Sequence, residues 1–211
     1  MTHPTDPDES LSSSLGVQAE SVTREQPTYL TDRSPGREFR KVTQGDGRHH
    51  EGVLRPKKIT TTHLVLTPLE SGVARSVIDA DLSRIARSAG WPHDDTLDAI
   101  GMSTAIGGSS LVWLVTLDGV VIGECGTVGG LDETRLIEIG YGLAAEHRRR
   151  GYGNELVAAL SNWLLTRPHV QGVVAREVLA ENVASRRALE NAGFVLEREH
   201  DGLTWYARRC P

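Results

Sequence analysis

The sequence predicts an α+β fold, a mixed and mostly antiparallel sheet with helices on both faces. Three observations predict it. Asp118-Gly119 and Asp201-Gly202 each separate two apolar runs, the strongest short-range signal for an antiparallel hairpin. Between those hairpins, residues 134–179 read strand, helix, strand, the order of a parallel crossover. Ahead of the first hairpin the apolar spacing changes to the 3.6 period of a helix.

Taken in order, Leu64-Val65-Leu66 is a short strand. Val77, Ile78, Leu82 and Ile85 fit one helical face, which stops at Gly90 ahead of Pro92. A second helix runs from Asp95 to Ile106 and is closed by the glycines at 107 and 108. Leu111–Leu117 and Val120–Gly126 are the arms of the first hairpin, and Thr134–Leu143 is the next strand. A helix begins after Gly151, with Leu156, Leu160, Trp163 and Leu164 as its buried stripe. Gly172–Leu179 returns as strand, and Ala184–Ala192 is a short helix capped by Gly193. Phe194–Glu199 and Leu203–Ala207 close the chain as a hairpin.

Residues 1–58 carry Ser, Thr, Pro, Gly and charged residues with no apolar period, and read as a disordered tail. Residues 59–211 form the domain. A net charge of −5 gives no global attraction to nucleic acid or to an anionic membrane. Cys125 and Cys210 have neither metal-ligand spacing nor a disulfide framework, so a reducing cytoplasm is expected and no metal site. The N-terminus lacks the basic and apolar regions of a secretory signal. The longest apolar stretch, Leu111–Val115, is too short to span a bilayer.

The chemistry concentrates where the strand ending at Leu143 passes through Arg148-Arg149-Arg150-Gly151-Tyr152-Gly153-Asn154 into a helix. Gly151 and Gly153 let the backbone turn tightly and approach a bulky anion. The first-turn N–H groups and the helix dipole favour negative charge there, and three arginines suit phosphate oxygens. A pyrophosphate is the natural occupant. A Rossmann fingerprint is absent, because Leu156 stands where its third glycine belongs, and so is the Gly-Lys-Ser/Thr of a P-loop.

Arg148-x-x-Gly151-x-Gly153 resembles the Gln/Arg-x-x-Gly-x-Gly/Ala motif of the GNAT superfamily of N-acetyltransferases. Glu138-Ile139-Gly140-Tyr141-Gly142-Leu143 resembles the strand preceding that motif, and Asn182, Ser185 and Gly193-Phe194 follow the family's later Asn…Ser…Gly-Phe segment. Thr60–Leu69 is similar to the opening of the ribosomal-protein-alanine acetyltransferase subgroup.

The resemblance covers about residues 59–209 and implies a GNAT-type acyl-CoA N-acyltransferase fold with two splayed central strands. It implies acetyl-CoA as co-substrate, with the pantetheine arm on the backbone of Leu143, Ala144 and Ala145. Arg148 would head the pyrophosphate turn, Arg149, Arg150, Gly151, Tyr152, Gly153 and Asn154 would supply its N–H groups, and Asn182 and Ser185 would face the coenzyme. Many members place a tyrosine, as general acid, where this chain has Leu189, which leaves Ser185 or water for that part. Glu138 and Glu124 are the candidate bases for an incoming amine, and Cys125, adjacent to Glu124, is expected on the opposite side of its strand. The acceptor is a protein N-terminal amine or a small-molecule amine, for a monomer or homodimer. The alternative is a non-catalytic acyl-CoA-binding regulatory module.

Overall fold

The computed structural model describes residues 54–105 and 110–210. Residues 1–53 of the expected tail, the end of the second helix at Ile106 and its closing glycines lie outside the described residues. Residues 54–58, expected in the tail, run along the domain. Leu54 packs on the core, and the Lys57 carbonyl accepts a hydrogen bond from Trp113 Nε1 at 2.8 Å.

Among the described residues the chain folds as β1 (Ile59–Thr60), β2 (Leu64–Pro68), α1 (Ser71–Ile78), α2 (Asp94–Ala105), β3 (Val112–Leu117), β4 (Val120–Val128) and β5 (Leu136–Leu143). A 3-10 turn (Ala145–His147) leads to α3 (Tyr152–Leu165), β6 (Gly172–Leu179), α4 (Val183–Asn191), β7 (Val195–His200) and β8 (Leu203–Arg209). The strands make one sheet in the order β1-β2-β3-β4-β5-β6-β8-β7, with β5 and β6 its parallel neighbours and the other pairs antiparallel. None of the described helices is long and apolar enough to cross a membrane.

Both hairpin turns form where Asp-Gly occurs. Asp118 and Gly119 have φ of 49° and 82°, and Asp201 and Gly202 have φ of 49° and 75°, the left-handed pair that matches strand twist. The helix expected to reach Gly90 ends at Ile78 instead. Two residues on, Ala80 has φ 57°, and the chain then bonds sideways to the sheet: Ser88 N–H donates to the Val121 carbonyl, and Val121 N–H to the Ala86 carbonyl, each at 2.8 Å. Leu82 and Ile85 still pack inward, so the apolar spacing is met by irregular chain held by β4.

Helices cover both faces, as the sequence predicts. On one side Ile137, Ile139, Tyr141 and Leu143 of β5 pack with Leu156, Leu160 and Leu164 of α3 and Leu189 of α4. On the other, Leu114 and Val121 pack with Ala74, Val77, Trp91 and Ile100. Leu156, Val157, Leu160 and Leu164 have no exposed surface, and each such side chain is worth about 1.5–3 kcal/mol of burial. That stripe fixes α3 on the sheet, and with it the turn at its N-terminus.

The same end of α3 is clasped from the sheet edge. Glu155 accepts hydrogen bonds from the Thr61 hydroxyl, from His63 N–H at 2.7 Å and from the His63 ring at 2.9 Å. Burial raises the Glu155 carboxyl, but these donors outweigh it and hold it at about 2, below the ordinary 4.5. A carboxylate depressed by folding stabilises the fold above its unfolded value, and that contribution is lost as pH falls through its folded value. Glu155→Gln is therefore less stable than the parent protein at neutral pH. The difference is full above about pH 4.5 and closes as pH falls through about 2. Urea midpoints of both proteins across the acid range read this, and a pH-independent gap would exclude the ionised clasp.

Candidate active site

β5 and β6 pair over three registers only, Leu136↔Gly172, Ile137↔Val173 and Glu138↔Val174. Beyond Val174, β6 carries an irregularity between Ala175 and Val178, with Glu177 at φ 56°. A bulge bends its strand, and β6 leaves β5 where it occurs. The gap opens into a cleft of about 730 Å³ between the end of β5, the start of α3 and the first turns of α4. That volume lies within the roughly 300–1,000 Å³ of small-molecule sites.

Gly151 caps α3 in the left-handed conformation, φ 88°, and Arg149, two residues earlier, has φ 60°. The first bond of the helix runs from Glu155 N–H to the Gly151 carbonyl at 3.2 Å. The N–H groups of Tyr152, Gly153 and Asn154 therefore precede the helical ladder, as a cradle for an anion requires. Arg148, Arg149, Gly151, Gly153 and Asn154 line the cleft. Arg150 and Tyr152 do not: Arg150 is exposed, and the Tyr152 ring lies 6.1 Å from that of His63. Arg148 Nε donates to the Leu143 carbonyl at 2.9 Å, tying the turn to the end of β5.

Of the expected pantetheine strand, Leu143 lines the cleft and Ala144 and Ala145 do not. Ala144 is fully buried, and its N–H is spent on the Ile122 carbonyl of β4 at 2.8 Å. Ala145 already belongs to the 3-10 turn. Across the cleft, Asn182 caps α4 by accepting from Ser185 N–H at 3.1 Å. Ser185 Oγ lies 2.7 Å from the Tyr141 hydroxyl of β5, and both residues line the cleft. Arg187 brings a further cation to the α4 wall. The sequence analysis did not single out Arg187. Its place two residues past the cap-bonded Ser185, in the first turns of α4, was the available signal.

Glu124 and Glu138 share the sheet face opposite Cys125, in line with strand alternation: Glu124 registers with Gly142, Glu138 with Val128, and Cys125 with Tyr141. Burial pushes the Cys125 thiol up, which keeps it un-ionised. Glu138 pairs with Arg176 at 3.0 Å, and Arg176 also holds Asp132 at 2.7 Å. Burial pushes the Glu138 carboxyl up, against the opposing pull of Arg176. This carboxylate belongs to an ion cluster at the root of β5.

Glu124 is different. It has no exposed surface, and its Oε2 accepts from Trp91 Nε1 at 2.6 Å and from the Thr96 hydroxyl at 2.8 Å. Its Oε1 is 3.4 Å from His93 Nε2, while His93 Nδ1 is 3.9 Å from Asp95. His93, absent from the sequence reading, keeps 14% of its side chain exposed. The ring and the carboxylate meet over β5. A Cβ at Gly142 would lie 2.8 Å from His93 Nε2 and 2.9 Å from Glu124 Oε1, so glycine makes room for both.

The segment carrying Trp91 and His93 is latched to the coenzyme-side turn. Glu146, next to Ala145, accepts from the Ser88 hydroxyl and from Gly90 N–H at 2.9 Å, and His147 Nε2 is 3.1 Å from Ser88 Oγ. A Cβ at Gly90 would come within 2.5 Å of Glu146 Oε2, so a larger residue there would push the Glu146 carboxylate aside. The Glu146 carboxyl is held at about 2, first by Ser88, so the latch is ionised at neutral pH.

Comparison with known proteins identifies the family and the fold. The family description "Acetyltransferase (GNAT) domain" matches residues 63–195. The uncharacterized N-acetyltransferase YjdG of Bacillus subtilis (strain 168) is 32% identical over 117 residues, covering 52% of this chain and 69% of that protein. Among solved structures, RimL, a ribosomal L7/L12 alpha-N-protein acetyltransferase in complex with coenzyme A, superposes with a TM-score of 0.54 at 18% identity, over 72% of this chain and 98% of its own. RimJ of Mycobacterium smegmatis, in complex with CoA-disulfide, gives 0.53 at 21% identity, over 73% and 88%.

Glu146→Ala removes two acceptor contacts at once. It is expected to cost about 1–3 kcal/mol of stability and to speed hydrogen exchange at the Gly90 amide. Unchanged exchange at Gly90 would show that the segment is held without Glu146.

Proposed function

This chain belongs to the acetyltransferase (GNAT) family, and on that footing we propose that it moves the acetyl group of acetyl-CoA directly to a primary amine, on a protein N-terminus or a small molecule. The observation that carries the reading is the cleft at the β5–β6 divergence, floored by the N-terminus of α3. The pyrophosphate rests on the N–H groups of Tyr152, Gly153 and Asn154, beside Arg148 and Arg149, and the pantetheine arm follows β5 at Leu143 toward Ser185.

The amine nitrogen attacks the thioester carbonyl carbon, the carbon–sulfur bond breaks, and the coenzyme leaves as thiolate. Orientation of two bound reactants supplies most of the acceleration. An α-amino group has a pKa of about 8, so a mild base suffices to take its proton. We assign that task to His93 backed by Glu124, which meet over Gly142 beside the reacting end of β5. Glu138 serves the Arg176 ion cluster instead. A non-catalytic coenzyme-binding module has no use for a carboxylate–imidazole pair at that point, and this favours the enzyme reading.

Calorimetric titration tests the cleft. Acetyl-CoA and desulfo-CoA both bind and ATP does not, and Gly151→Glu costs about 3 kcal/mol or more, roughly a hundredfold in affinity. Gly151→Ala separates backbone strain from charge: a Cβ at Gly151 meets open space, so only the cost of its φ of 88° applies. Failure of the parent protein to bind either CoA species would overturn the reading.

An amine screen on the same protein tests the base. Glu124→Gln and His93→Gln lower kcat by roughly 10²- to 10⁴-fold with coenzyme affinity retained, whereas Glu138→Gln acts mainly on stability. Equal loss of kcat in all three variants would remove the distinction between the two carboxylates.

A further inference from the structure

The hydroxyl pair of Tyr141 and Ser185 links β5 to α4 at the cleft. It lies past the last β5–β6 register at Glu138↔Val174, where the two strands no longer hold each other. Both residues are nearly buried, with 6% and 4% exposure, and both still line the cleft. Ser185 is fixed by the bond from its own N–H to Asn182 Oδ1, so the position of its hydroxyl is set by the start of α4.

The pair has two ways to satisfy itself. Tyr141 O–H can donate to the Ser185 carbonyl, 3.3 Å away, while Ser185 O–H donates to the phenol oxygen. Alternatively, Tyr141 O–H donates to Ser185 Oγ at 2.7 Å, which turns the Ser185 proton outward. A negative charge growing in the cleft selects the second arrangement, because it alone presents a donor to that charge.

We propose that Tyr141 is a positioning residue that donates to Ser185 Oγ and so directs the Ser185 O–H at the leaving sulfur of the coenzyme. The inference rests on the coenzyme reading of the cleft given above. The step moves no proton between the two hydroxyls and the sulfur. The carbon–sulfur electron pair ends on sulfur as thiolate, Ser185 O–H hydrogen-bonds to it, and solvent protonates the thiolate to the thiol after release. Burial pushes the Tyr141 phenol up, in keeping with a group that stays protonated throughout. The arrangement also supplies a donor in a chain that has Leu189 where the family's general-acid tyrosine would stand.

The test uses the full chain and a series of acetyl thioesters built on pantetheine-like thiols of graded acidity. Tyr141→Phe is expected to lower kcat roughly ten- to a hundredfold with acetyl-CoA, as for loss of support to one charge-assisted donor, with coenzyme affinity within about threefold. The loss should shrink as the thiol becomes more acidic, because a better leaving group needs less stabilisation. Ser185→Ala should show the same dependence, and the double variant should lose little more than either single one. Full activity in Tyr141→Phe, or a loss identical for every thiol, overturns the proposal. Failure of the parent protein to bind acetyl-CoA overturns the cleft reading as well, whereas binding together with an indifferent Tyr141→Phe overturns this inference alone.

Discussion

The loss of pairing between β5 and β6 after Glu138↔Val174 is the constraint on which the rest of this molecule is arranged. A buried strand must place its backbone N–H and C=O groups somewhere. On its other edge β5 stays paired with β4 to its end, from Val128↔Glu138 to Gly123↔Leu143. On the β6 side the ladder stops, and the cleft takes its place. The irregularity at Ala175–Val178 removes β6, and α4 closes the back of the gap with Ala188 and Leu189 in the core. The opening is thus held by packing on one side and by a bulge on the other.

The cations around that opening have separate tasks. Arg148 is anchored to the Leu143 carbonyl, Arg149 lines the cleft from a left-handed backbone, and Arg150 lies exposed outside it. Three adjacent arginines look equivalent in a string of letters. The reversal of the chain at Gly151 makes them unequal, because successive side chains on a tight turn point in different directions. Arg187 of α4 reaches the same space from the opposite wall.

What was legible in the sequence was local. The Asp-Gly turns, the strand Gly172–Leu179 and the stripe of α3 follow from near-neighbour chemistry, and each formed at or within a residue or two of the expected position. The turn from Arg148 to Asn154 was legible for the same reason. The segment after Ile78 was not, because its spacing suits a helix while its hydrogen bonds go to Val121, more than thirty residues away. Glu138 and Glu124 could be named as a pair but not told apart. Arg176 beside the one, and Trp91, His93 and Thr96 around the other, are brought in by tertiary folding. His93 carried no local mark at all, since its meaning depends on Gly142 leaving it room.

Strand alternation in β5 has a consequence for how such a protein changes over generations. Tyr141 faces α3 and α4, and Gly142 faces His93 and Glu124, so consecutive residues of one strand serve opposite sides of the sheet. Substitutions on the α1–α2 side can change the surroundings of His93 and Glu124 without touching the α4 side. A single inserted or deleted residue within β5 would instead exchange the two faces and spoil both. Point substitution around α2 is therefore open to such a protein, while the length of β5 is closed to change.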